Sequence, residues 1–125
     1  MIVADSSYLV EGILRDARLI ENETIVAPDL ALYEVINTFW KHETKIGDLD
    51  DASSHIDLVL ELVSAGTILL VRPDRKLLNE AYVLSVKHRI PVYDTVFVAL
   101  ALQLRLELKT YDEKQAKMLS KGRGK

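Results

Sequence analysis

The sequence predicts an α/β domain with a mostly parallel sheet covered by helices on both faces, and three observations carry that reading. Short runs rich in β-branched and apolar residues alternate with segments of helical period along the whole chain. From Asp94 onward, Thr95-Val96-Phe97-Val98-Ala99-Leu100-Ala101 is apolar almost without a break, as elements buried inside a layered sheet are. Neither repeats nor linkers divide the 125 residues, so one domain with one core is expected over 1–120, followed by a basic tail over 121–125 that is expected to be flexible.

Met1 to Ala4 reads as the first strand, and Asp5-Ser6-Ser7 ends it with capping residues before Tyr8, Leu9, Val10, Ile13 and Leu14 set a helical period. Thr24 to Ala27 is a second β-branched run, broken by Pro28, and a long helix is expected from about Asp29 to Thr44. After the loop of Gly47-Asp48 and Asp50-Asp51, a helix carries Ile56, Leu58, Val59, Leu60, Leu62 and Val63 until Gly66 stops it. Thr67 to Val71 is the third strand, closed by Pro73-Asp74. A helix follows through Leu77, Ala81 and Leu84 to Lys87, His88 and Arg89. Val92 and Tyr93, just beyond Pro91, are assigned to a short fourth strand, and Glu107 to Thr110 to a fifth, after which Asp112 opens the last helix.

A chain that is 49% hydrophobic and 28% charged, with mean hydropathy +0.08, is an ordinary globular one. No apolar run spans a bilayer and the N-terminus has no signal-peptide layout, so a cytoplasmic protein is expected. The absence of cysteine excludes disulfides, zinc-thiolate sites and thiol chemistry. A net charge of −3 means that any contact with nucleic acid must be local.

In an open parallel sheet, ligands bind outside the carboxyl ends of the strands. Asp5, Asp94 and Asp112 each follow an expected strand and so belong at that end. Each alone is well explained as a helix N-cap, Asp112 with Gln115 returning a capping-box bond. Glu34 lies inside the long helix on a polar stripe with Asn37 and Lys41, which a solvated face explains equally well. The combination says more than its members. Two carboxylates ~6 Å apart repel by roughly 3 kcal/mol at an effective dielectric of ~20, so four in one crevice call for a cation. Oxygen donors with neither cysteine nor paired histidines select Mg²⁺ or Mn²⁺.

Val3-Ala4-Asp5-Ser6-Ser7, Leu32-Tyr33-Glu34-Val35-Ile36-Asn37, Tyr93-Asp94-Thr95-Val96-Phe97-Val98-Ala99-Leu100-Ala101 and Thr110-Tyr111-Asp112 resemble, in order and spacing, the four signature blocks of the PIN domain. The likeness is to the small prokaryotic PIN proteins of the VapC toxin type and covers the whole chain. It implies a three-layer α/β/α fold on a five-stranded parallel sheet of order 3-2-1-4-5, and Mg²⁺- or Mn²⁺-dependent cleavage of single-stranded RNA. It also implies Asp5, Glu34, Asp94 and Asp112 as the catalytic and metal-binding quartet, with Ser7, Thr110 and Asn37 as supporting polar groups. Some members carry one more acid where this chain has Gln115, with Glu113 the only carboxylate nearby. A homodimer and an inhibitory antitoxin chain are implied as partners.

Lys114, Lys117, Lys121 and Arg123, with Lys125, are the one basic concentration; following Asp112, they are candidates for RNA-backbone contact, with a solvated, frayed terminus as the simpler alternative. His42, His55 and His88 are scattered, and Trp40 beside Lys41 and His42 is read as core or as a dimer or antitoxin surface. Two other functions compete: a PIN-like fold that binds RNA or protein without turnover, and a phosphoacceptor receiver domain. A receiver needs adjacent acids after strand one and a lysine after strand five, where this chain has Asp5-Ser6-Ser7 and Thr110-Tyr111-Asp112.

Overall fold

The computed structural model describes the backbone of residues 1–123 and the side chains of residues 1–119. Elements follow in the order β1 (Ile2–Ala4), α1 (Ser6–Leu14), a 3₁₀ turn (Ala17–Leu19), β2 (Ile25–Pro28), α2 (Leu30–Lys41), a π-helical turn (His42–Ile46), α3 (Ser53–Ser64), β3 (Ile68–Val71), α4 (Arg75–His88), α5 (Val92–Leu104), β4 (Leu108–Lys109) and α6 (Glu113–Arg123). Backbone of Lys121 to Arg123 continues α6, while Gly124 and Lys125 lie outside the described residues.

The four strands form one parallel sheet in the order β3-β2-β1-β4. Val3 pairs with Val26 on one side and Leu108 on the other, and Ile25 to Pro28 pair with Ile68 to Val71. Because every pair is parallel, all carboxyl ends meet at one edge. Pro28 closes β2 as its last residue, and the Asp29 N–H takes up the ladder by donating to the Val71 carbonyl at 3.0 Å. Helices α1, α2 and α3 pack together on β2 and β3, and Leu9, Ile13, Val35, Val59 and Ile68 meet there. On β1, β2 and β4 lies α5, backed by α4 and α6. Its residues Thr95 to Ala101 are all buried, which is why that stretch reads as apolar all round rather than amphipathic.

The expected fourth strand does not exist, and the order 3-2-1-4-5 is corrected accordingly. Val92 and Tyr93 are the first two residues of α5, with Pro91 as its N-cap. The Pro91 carbonyl accepts the N–H groups of Asp94 (3.0 Å) and Thr95 (3.2 Å), so the first helical turn closes where a strand was expected. That turn takes up both residues, and the neighbouring place beside β1 goes to Leu108–Lys109. The long helix does run beyond Lys41, but as a π-turn ended at Gly47, whose φ of 78° suits a residue without Cβ.

Phe39 is fully buried in the core, whereas Trp40 is half-exposed with the Lys45 ammonium 5.2 Å from its ring centroid. His42 pairs with Asp48 at 2.8 Å, and His55 shares the lining of the same small cavity, so these two histidines are closer than their scatter in sequence suggests. Among the described residues no helix is long and apolar enough to cross a membrane.

Candidate functional site

Asp5 leaves the end of β1 and caps α1, its Oδ1 accepting the Tyr8 N–H at 3.0 Å. The same oxygen accepts the Ser7 hydroxyl at 2.7 Å, and Oδ2 accepts the Thr110 hydroxyl at 2.5 Å. Only 3% of Asp5 is exposed. A carboxylate so buried needs several donors, and it has three. Asp5 therefore caps α1, as expected of it taken singly, while its second oxygen ties it to the loop that carries Asp112.

Ser7 and Thr110 also organise the loop after β4. The Ser7 hydroxyl accepts the Tyr111 N–H at 3.0 Å, and the Thr110 hydroxyl accepts the Asp112 N–H at 2.8 Å. Asp112 is thereby fixed relative to Asp5, and its own carboxylate accepts the Lys114 N–H at 2.9 Å at the start of α6. The capping box expected with Gln115 does not form, because Thr110 has taken the Asp112 N–H. Gln115 instead turns its amide to Asp94. It is buried, and its Oε1 has no hydrogen-bond partner among the described residues.

Glu34 sits in the second turn of α2, half-buried, and accepts the Ser6 hydroxyl at 2.6 Å. Asp94 is the third residue of α5 and so is neither a strand-end residue nor an N-cap. Burial pushes the Glu34 carboxyl above its ordinary range; the Ser6 hydrogen bond opposes this, and the charges of Asp94 and Asp5 add to it. Burial likewise raises Asp94, with the charge of Asp112 next; Gln115 and Lys114 oppose, and Asp5 adds a little. The charges felt by Glu34 and Asp94 put all four acids in one electrostatic neighbourhood at the carboxyl edge of the sheet.

The structure does not bring every expected residue into that neighbourhood. Asn37 is exposed one turn beyond Glu34 on α2, and among the described residues no hydrogen bond ties it to the acids. Lys114 and Lys117 are exposed on α6, Lys114 close enough to stabilise the Asp94 anion. The side chains of Lys121 and Arg123 lie outside the described residues. Sequence reasoning missed Ser6, whose role depends on α1 packing against α2, and it assigned Gln115 the wrong bond.

The donors at this edge are carboxylates, hydroxyls and one amide, a set that suits a hard divalent cation in kind. Among the described residues no three acidic or histidine side chains converge closely enough to grip one ion. Each acid is turned to its own partner: Asp5 to Ser7 and Thr110, Glu34 to Ser6, Asp94 to Gln115, Asp112 to the Lys114 N–H.

The family model described as PIN domain matches residues 2–119. Ribonuclease VapC3 of Pyrobaculum aerophilum is 39% identical over 90 residues, covering 70% of this chain and 66% of that relative, just under two-thirds of its length. The crystal structure of PAE2754 from Pyrobaculum aerophilum superposes with a TM-score of 0.75 at 23% identity, over 94% of this chain and 84% of that one, a likeness of fold. With the sheet, the order of the blocks and the matched residues in agreement, this chain belongs to the PIN-domain family.

Proposed function

We propose that the protein is a Mg²⁺- or Mn²⁺-dependent endoribonuclease that cuts single-stranded RNA in the cytoplasm and is held in check by an antitoxin chain. One observation supports this most: four acids from four separate segments, Asp5, Glu34, Asp94 and Asp112, stand near one another at one edge of the sheet, where burial and the neighbouring acids' charges push Glu34 and Asp94 up. The similarity to a protein named Ribonuclease VapC3 points the same way.

In this reading Asp5, Glu34, Asp94 and Asp112 would hold the ion, which would supply positive charge against the phosphodiester and activate water for attack. The protein's own part is positional. Ser7 and Thr110 hold Asp5 from both oxygens and fix Asp112 through its N–H. Ser6 orients Glu34, and Gln115 orients Asp94. Lys114 and Lys117 on α6, with Lys121 and Arg123 further along it, supply positive charge for the RNA backbone. Asn37 is assigned a supporting part only after rotation toward Glu34.

A homodimer belongs to the same proposal. The long helix is a weaker candidate surface than expected, because Phe39 is core and Trp40 is partly covered by Lys45. Tyr82 and Val86 are exposed one turn apart along α4, flanked by Val83, and offer an apolar surface for the dimer.

Cleavage of single-stranded RNA in Mn²⁺, abolished by excess EDTA and restored by added Mn²⁺, is the expected result. Cleavage that persists in chelator overturns the mechanism. RNA binding without cleavage in either metal would favour a non-catalytic module.

A further inference from the structure

Three of the four exposed tyrosines directly precede an acid of the cluster: Tyr33 before Glu34, Tyr93 before Asp94 and Tyr111 before Asp112, at 73%, 66% and 59% exposed. An aromatic ring left in water forgoes the burial that usually justifies it. Two of these rings stand in built surroundings. Tyr111 stacks on Tyr8, with centroids 5.9 Å apart and planes 18° from parallel, and its backbone is fixed by the Ser7 hydroxyl. Tyr8 is buried and anchored by its own hydroxyl to the Leu19 carbonyl at 2.9 Å, so one face of Tyr111 rests on a rigid base. Tyr93 borders an apolar cleft of about 180 Å³ whose other walls include Pro28, Leu30, Pro73, Leu78 and Val92.

The two places lie on opposite sides of the acids. The cleft stands over the carboxyl ends of β2 and β3, Tyr111 over that of β4, and Asp5 projects from β1 between them. Strands are spaced by about 4.8 Å, so β2 and β4 are about 10 Å apart. A single strand crossing this edge would pass its phosphate over the acids with a base to either side.

We propose that Tyr93 with its cleft and Tyr111 on Tyr8 are stacking subsites for two unpaired bases of the substrate strand, flanking the phosphate that is cut. The inference rests on the ribonuclease reading and deepens it by assigning where the bases go. The cleft commits to a base because it is apolar, walled by rigid prolines, and too small for a helix about 10 Å across. Stacking on an aromatic face is open to every base, so these subsites select single-stranded over paired RNA rather than one sequence over another.

The test measures binding of the full chain, in EDTA, to a short labelled single-stranded RNA and to the same strand with abasic residues. Tyr93→Ala and Tyr111→Ala should each weaken the base-bearing strand by about tenfold and leave the abasic strand unaffected, while the corresponding Phe changes restore binding. In Mn²⁺ the Ala variants should show a raised KM with little change in kcat. Loss of affinity that is equal on abasic RNA, or no loss at all, overturns the subsites; in the latter case the cleft is left to a protein segment. If the wild type cuts no RNA yet binds bases through these tyrosines, the nuclease reading fails and the stacking inference stands.

Discussion

The Thr110 hydroxyl donates to Asp5 Oδ2 at 2.5 Å, joining two residues 105 apart in sequence across the β1–β4 pair. That one bond ties a buried carboxylate to the loop that carries Asp112. Thr110→Val keeps the shape and removes the donor, leaving Asp5 with an unmatched oxygen. The change should destabilise the protein by about 1.5–3 kcal/mol, as hydrogen bonds to charged groups do, and lower metal affinity or activity by about 10–100-fold. Urea titration and metal titration of the same variant measure both; a stable variant with unchanged metal affinity would remove Thr110 from the site.

Asp94→Asn removes a charge from the cluster while keeping the side-chain shape. In chelator the variant should melt higher than the wild type, because its repulsion with Asp112 and Asp5 is gone. Added Mn²⁺ should stabilise it less, since metal-linked stability follows RT ln(1 + [L]/Kd). Glu34 and Asp94 both have raised proton affinity in the folded state, so the sign of the pH effect is fixed. The folded protein binds protons more tightly than the unfolded chain in the window that starts at the ordinary values, 4.5 for Glu and 3.8 for Asp, and ends at the raised folded ones. Through that window these two groups make stability fall as pH rises, and above it their cost is constant. Melting curves in EDTA across this range should show that fall in the wild type and a shallower one in Asp94→Asn. Equal slopes and equal metal shifts would separate Asp94 from the cluster.

Val86→Glu places a charge in the exposed apolar surface of α4 without touching the acids. Sedimentation at micromolar concentration should find the wild type dimeric, Val86→Glu monomeric, and Trp40→Ala still dimeric. A monomeric wild type ends the dimer proposal, and loss of the dimer only on changing Trp40 returns the interface to α2.

Lys114→Ala and Lys117→Ala should each weaken RNA binding across all sequences and lower the slope of log K against log salt by about 1, as the loss of one phosphate contact does. Lys114→Ala should in addition raise Asp94 further, because its ammonium opposes that shift. An unchanged slope for both would mean that α6 presents its basic side chains only to solvent.

The alternation of strands and helices, the buried character of Thr95–Ala101 and the placing of Asp5 and Asp112 at strand ends were legible in the sequence, because they depend on periodicity and on residues adjacent in the chain. Glu34 was legible only through the ordered blocks, since one polar residue on a helix stripe has no local signature. Tertiary structure alone decided the rest. It made Val92–Tyr93 a helical turn, because Pro91 offers its carbonyl to Asp94 and Thr95 while β1 takes Leu108–Lys109 as its neighbour. It sent Gln115 to Asp94 rather than to the Asp112 backbone, because Thr110, held by Asp5, reaches that N–H first. It set Ser6 against Glu34 and buried Phe39 while exposing Trp40, since which side of a helix meets a neighbour depends on segments far away in the chain. Local chemistry named the residues of this edge; the partner each one found was settled by packing between segments that no short stretch of sequence contains.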